Sequence, residues 1–142
     1  MTKPLNNLAK KMEIDNKVVF SPFVPYDQIP IIHNLADIFV LPSISTPGWQ
    51  EQFGMVLVES MACAKPVIST LSGSIPEVIG NAGILVQPDD MLSLSSAIKN
   101  IALDNALCKK LGEKARARVE KYFDAKKVAE KIKEIYQRIS TS

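Results

Sequence analysis

Glu51 and Glu59 flank an apolar run in which chemistry is most readily imagined, Gln52-Phe53-Gly54-Met55-Val56-Leu57-Val58 between them and Ser60-Met61-Ala62-Cys63 after. A helix from about Gly54 to Cys63 would carry Met55, Val56, Leu57, Val58, Met61, Ala62 and Cys63 around nearly its whole circumference, the pattern of a helix buried among other elements. A carboxylate on that surface must be hydrogen-bonded, paired or turned to a cleft, because burying it alone costs several kcal/mol. Gly54 leaves the first turn without a side chain, so an anion can approach the free amides there, and a diphosphate suits them. Glu59, further along the helix, could reach a sugar attached to that diphosphate, since vicinal hydroxyls donate well to a carboxylate's two oxygens. Glu51, on the other side of the amides, could hold a second sugar. Spacing alone leaves a competing reading at near-even weight: Glu51 caps the helix and Glu59 pairs with a Lys or Arg.

Other candidates are weaker. His33 is the single histidine, and in a short helix before a buried strand it reads as packing or surface rather than a base. Trp49 suits either a sugar ring or a loop anchor. Asp89-Asp90 follows a proline and precedes a helical pattern, so it reads as a helix start rather than a metal site. Cys63 and Cys108 read as small buried thiols.

These residues need a scaffold, and the pattern predicts an α/β fold. Helices are expected at 3–13, 27–35, 54–63, 74–79, 91–102 and 103–121, with a last helix opening at Asp124. Ser74 with Glu77 three residues on has the form of a capping box. Strands are expected at Val18-Val19-Phe20, Ile38-Phe39-Val40-Leu41, Pro66-Val67-Ile68-Ser69-Thr70 and Gly83-Ile84-Leu85-Val86. Short apolar strands separated by helices imply a Rossmann-like parallel sheet with helices on both faces. The chain divides into an alternating core, 1–88, and a helical C-terminal tail, 89–142.

With 142 residues, 46% hydrophobic and 23% charged, the chain has the apolar content of one globular domain. No window reaches the length of a membrane span, and the first residues carry no signal core, so a cytoplasmic setting is expected. The net charge of +2 is uneven: residues 109–142 hold eleven Lys/Arg against five Asp/Glu. A solvated helix face is the preferred reading of that basic tail, with peripheral contact at an inner membrane surface as the alternative. Nucleic acid is not expected, because the tail lacks interleaved aromatics or a recognisable motif.

The run Glu51 to Pro66 resembles the glutamate, seven residues, glutamate signature of the family 4 retaining glycosyltransferases of GT-B fold. Phe53-Gly54, Glu59-Ser60-Met61-Ala62, Lys65-Pro66-Val67-Ile68 and Ser72-Gly73-Ser74-Ile75-Pro76-Glu77-Val78 match its phrases in order. Ala36-Asp37-Ile38-Phe39-Val40-Leu41-Pro42-Ser43 and Ala82-Gly83-Ile84-Leu85-Val86 are similar too, and Tyr122-Phe123 looks like its aromatic hinge before the final helix. The resemblance implies a partial C-terminal, nucleotide-sugar-binding domain. It implies that Glu51 contacts the donor sugar, that Glu59 binds the ribose, that the amides of Gly54, Met55 and Val56 after Phe53 hold the diphosphate, and that Val24 meets the base through its backbone. Ala64 stands where the family usually has glycine, so a slightly different turn is expected there.

The same resemblance implies transfer of a hexosyl group from a nucleotide-diphosphate sugar to a hydroxyl with retention, in polysaccharide or glycolipid synthesis, with no cofactor and no tightly bound metal. It also implies a missing N-terminal acceptor domain or partner chain, an inactive fragment, and a gap beside the Val18-Phe20 strand. A non-catalytic subunit of a split enzyme and a sugar-nucleotide epimerase of the same fold are the alternatives.

Overall fold

A computed structural model describes residues 2–140. In chain order the regular elements are α1 (Thr2–Lys11), α2 (Ile29–Leu35), β1 (Phe39–Leu41), α3 (Met55–Ala62), β2 (Val67–Thr70), α4 (Ile75–Ile79), β3 (Ile84–Val86), α5 (Met91–Leu103), α6 (Asn105–Tyr122) and α7 (Ala125–Ser140). Short 3-10 turns occupy Asp15–Lys17 and Tyr26–Gln28.

The strands form a parallel sheet in the order β1-β2-β3, with Phe39 opposite Val67 and Ile68 opposite Ile84. Parallel pairing requires crossovers, and α3 and α4 supply them. β2, the central strand, is buried at all four positions, which is why its sequence is apolar or small throughout rather than alternating. One face of the sheet packs Val67 against Leu57, Met61, Ile75, Ile79 and Ala115. The other packs Ile68 and Val86 against Ala97 and Ile101 of α5. The doubly covered parallel sheet is the expected α/β architecture.

Local signals explain most helix starts. Asp90 accepts from the Ser93 amide (2.9 Å) and hydroxyl (2.6 Å), Asp104 from Leu107 N (2.9 Å) and Asp124 from Lys127 N (3.0 Å), each satisfying first-turn donors. Pro30 and Pro76 sit in the first turns of α2 and α4, where no amide is needed. The capping box expected at Ser74 does not form: its side chain makes no cap hydrogen bond. Its amide instead bonds the Glu51 carbonyl, so a tertiary contact anchors that end.

The strand expected at Val18-Val19-Phe20 is also absent. The segment carries no strand, and Val19 is 91% exposed. Strand propensity is realised only where a ladder forms, and this segment does not pair with β1, whose outer edge stays open among the described residues. Apolar surface remains uncovered on this side at Phe23, Ile31 and Leu35. The amphipathic faces of α1 (Leu5, Leu8, Met12) and α7 (Val128, Ile132, Ile135, Ile139) are likewise exposed, and α7 buries no residue.

α6 is less solvated than its charge implied. Arg116 donates through Nη1 to the Ala62 carbonyl at the end of α3, and Arg118 donates to Val78 O (2.7 Å) and Glu77 O (2.6 Å) near the end of α4. Both guanidinium groups meet carbonyls at the negative ends of helix dipoles. The two arginines latch α6 across both crossovers.

Candidate functional site

The loop after β1 enters α3 through Gly54, which holds φ +77, the left-handed region open to glycine. Glu51 turns back on this corner, and its Oε1 accepts from Gly54 N at 3.0 Å. Its carbonyl accepts from Ser74 N at 3.1 Å. The loop between β2 and α4 closes over it so tightly that a Cβ on Gly73 would lie 1.9 Å from that carbonyl. Glu51 therefore fills the capping role that spacing alone had left open, while Oε2 accepts no hydrogen bond among the described residues.

The first amides of an α-helix have no intrahelical acceptor. Gly54 N is taken by Glu51, whereas the Met55 and Val56 amides find no acceptor among the described residues. Met55 is 58% exposed and Val56 half-buried, so this helix end is open to solvent. Phe53 turns away from it and packs edge to face on Phe123 (5.7 Å, 82°), tying the loop to the join between α6 and α7. That places the Phe53 ring in a different groove, of about 660 Å³, with Ser74, Glu77 and Arg118.

Glu59 lies one turn beyond Met55, roughly 6 Å along the axis at 1.5 Å per residue. It is half-buried and makes no ion pair within 4.0 Å among the described residues. Its carboxylate lines a groove of about 320 Å³ between α2 and α3, together with Tyr26, Pro30, His33, Cys63 and Arg116. Hydrogen bonding to Glu59, and then its charge, hold the Tyr26 phenol above its ordinary pKa. Arg116, the nearest cation on the groove, is already committed to Glu120 (2.6 Å) and the Ala62 carbonyl. Glu59 thus faces the groove with the Tyr26 phenol as its neighbour and no cation bound to it among the described residues.

His33 is 5% exposed and packs edge to face on Phe39 of β1 (5.1 Å, 73°), consistent with the packing reading. Its Nε2, however, is buried without a partner, a state that costs about 1–3 kcal/mol unless it is satisfied. Burial holds its pKa below the ordinary value, and the Glu59 charge acts in the opposite direction. Val24 is half-buried in the extended stretch leading to Tyr26, and it is not among the residues lining the Glu59 groove. Neither Tyr26 nor His33 could be assigned to this groove from spacing, because it is made by the packing of α2 on α3.

Two further expectations are met differently. Ala64 holds φ +56, so the turn after α3 places an alanine in the left-handed region that glycine adopts most readily. Cys63 and Cys108 are free but only half-buried. Among the described residues no group of three or more His, Cys, Asp or Glu is placed to hold a metal ion, and no helix is long and apolar enough to cross a membrane.

Comparison with known proteins places this geometry in context. The family model "Glycosyl transferases group 1" matches residues 1–118. The chain is 32% identical over 131 residues to N-acetyl-alpha-D-glucosaminyl L-malate synthase of Bacillus anthracis, covering 91% of this chain and 32% of that protein. The structure superposes on HepE of Anabaena in complex with UDP at a TM-score of 0.86, with 26% identity over 96% of this chain and 36% of the other. Sucrose-phosphate synthase of Thermosynechococcus elongatus gives 0.82 and 27% over 98% of this chain and 34% of the other. The chain thus spans about a third of the length of the relatives it matches.

Proposed function

The chain belongs to the glycosyl transferases group 1 family, and from that premise we propose that it forms the donor-binding part of an enzyme transferring a hexosyl group, with retention, from a nucleotide-diphosphate sugar to a hydroxyl. The observation that carries the reading is the Glu59 carboxylate, without an ion pair among the described residues, on a groove one helical turn from the unaccepted amides of Met55 and Val56. Amides with a helix dipole behind them suit a diphosphate, and a carboxylate one turn away suits a ribose diol. The complex of the HepE neighbour with UDP supports the same ligand class.

In this reading the diphosphate is held by Met55 and Val56, with Gly54 shaping the turn and Phe53 fixing the loop from behind. Glu51 is shared between its cap on Gly54 and a donor-sugar hydroxyl at Oε2, and Val24 offers its backbone to the base. Catalysis is electrostatic: helix amides stabilise charge growing on the leaving diphosphate while Glu51 orients the sugar. No cofactor or tightly bound metal takes part.

The acceptor site lies outside these 142 residues, in another segment of the polypeptide or in a partner chain. The uncovered faces of α1 and α7 support this, since contiguous apolar surface of that kind serves association. Residues 1–88 supply the sheet and donor groove, and 89–142 cover its second face and reach outward. Alone, the chain binds donor weakly and transfers nothing. The setting is cytoplasmic and the product a polysaccharide or glycolipid; the exposed, lysine-rich α7 suits peripheral contact with an anionic leaflet. Nucleic acid is not a partner.

The test is calorimetric titration of the chain with UDP-, GDP- and ADP-hexoses, wild type against Glu59→Ala. Affinity for one of them, lost about tenfold or more in the variant, is expected from a charged hydrogen-bond pair. Equal affinity in the two proteins would remove the ribose role.

A further inference from the structure

Five groups with polar or titratable atoms converge on the groove between α2 and α3: Tyr26, His33, Glu59, Cys63 and Arg116. Four have an evident state. Tyr26 is largely exposed and hydrogen-bonds Glu59, Cys63 is a half-buried thiol, Glu59 faces the groove, and Arg116 is bound to Glu120 and the Ala62 carbonyl. His33 is the exception, because it lines the groove while its Nε2 is shut off from solvent and bonded to nothing. Burial and the edge contact with Phe39 restrict the ring. Buried polar atoms are nearly always partnered, and an orphan calls for a partner within reach.

The groups around it narrow that partner. On the groove stand Tyr26 from the turn before α2, Glu59 of α3, Cys63 at its end and Arg116 of α6, while the exposed Asp27 and Lys65 are not among its lining residues. Lys65 is bound to the Asn34 carbonyl at 3.1 Å, and Arg116 to Glu120 and the Ala62 carbonyl. Both cations are donors in any case and cannot serve an N–H. A neutral imidazole carrying its proton on Nε2 needs an acceptor, and the one acidic side chain lining the groove is Glu59.

Resting on the donor-binding reading above, we propose that His33 is the positioning residue of Glu59: when nucleotide binds, its Nε2–H, without a partner among the described residues, donates to one carboxylate oxygen and turns the other toward the ribose diol. Packing on Phe39 supports the ring, and His33 and Glu59 line one groove. Protonating the ring turns the same contact into an ion pair that competes with the diol for the carboxylate. Nucleotide affinity therefore weakens on acidification through the histidine's pKa, the direction set by its being neutral in the competent state.

The chain has one histidine, so its imidazole signals can be followed by NMR without assignment ambiguity. In the ligand-free chain, Glu59→Gln is expected to lower the histidine pKa by about half a pH unit, as removal of a nearby negative charge must. UDP and GDP are then titrated against wild type, His33→Phe and His33→Gln between pH 5.5 and 7.5. The expected result is a Kd raised about fivefold and without pH dependence in His33→Phe, with partial recovery in His33→Gln, which restores a donor. A histidine pKa indifferent to Glu59→Gln would overturn the proposal, as would wild-type affinity and pH profile in His33→Phe. If His33→Phe does not fold, the Glu59→Gln titration decides alone. Failure of wild type to bind any nucleotide sinks the donor reading instead, and the coupling between His33 and Glu59 is still read from the ligand-free titration.

Discussion

The carbonyl of Glu51 occupies the place where a side chain on Gly73 would have to be: a Cβ there would lie 1.9 Å from the oxygen, while the next amide, Ser74 N, bonds it at 3.1 Å. The loop after β2 is thus the floor on which the corner before α3 rests. Gly73 also holds φ +53, so both sterics and backbone favour glycine.

Gly73→Ala is accordingly expected to destabilise the chain by about 2 kcal/mol or more, from a left-handed alanine together with a backbone clash. Because the clash pushes on Glu51, nucleotide binding should fall further than the stability loss implies. Urea melts combined with calorimetry check both; a variant as stable as wild type would show that the floor yields freely.

Glu51→Ala removes the acceptor of the Gly54 amide, a contact of the kind that contributes about 1 kcal/mol at a helix start. A modest drop in Tm is expected from the chain. In a complete enzyme that contains this segment, transfer should fall more steeply than nucleotide affinity, since the sugar and not the nucleotide loses its contact. Parallel loss of kcat and nucleotide affinity would argue that Glu51 only shapes the turn.

At the other end of α3, Ala64 carries φ +56. A left-handed alanine costs roughly 1–2 kcal/mol that glycine avoids, partly offset by glycine's larger unfolded-state freedom. Ala64→Gly should therefore stabilise the chain by about 1 kcal/mol, read as a higher urea midpoint with unchanged slope. A lower midpoint would mean that the alanine methyl makes a compensating contact.

Stability should also depend on pH through His33. Burial, opposed by the Glu59 charge, leaves its folded-state pKa below the ordinary 6.5. As pH falls, the unfolded chain takes up the proton first, so the contribution is complete above 6.5 and is lost on acidification through the folded-state pKa. Carboxylates such as Asp90, itself lowered by its hydrogen bonds to Ser93, act only at lower pH. Denaturation midpoints in wild type are expected to be level at neutral pH and to decline below 6.5, and the decline should be absent in His33→Phe. An identical decline in both would assign it to other groups.

Much of this architecture could be read along the chain. The apolar runs around Val40, Ile68 and Leu85 with helical periods between them imply a parallel sheet, and Asp90, Asp104 and Asp124 mark their helices by local hydrogen bonds that depend only on neighbouring residues. The acid at position 59 stands out for the same reason: an ionisable group in an otherwise apolar cylinder needs an outlet, whatever surrounds it. Val18-Val19-Phe20 has a strand's composition without its ladder, because pairing with the open edge of β1 is a long-range contact that no local pattern reports.

What the chain order could not reveal is who meets whom. Whether Glu51 capped or reached outward was decided by a glycine 22 positions later, which lets a separate loop close on its carbonyl. The groove holding Glu59, Tyr26 and His33 exists because α2 packs against α3, and the arginines of α6 became caps because that helix crosses the ends of two others. Periodicity and capping are local, set by a residue and its near neighbours, and so are written in the sequence. The surroundings of a charge, its access to solvent and the partner it finds depend on contacts between distant segments, and these are set only when the sheet and its helices assemble.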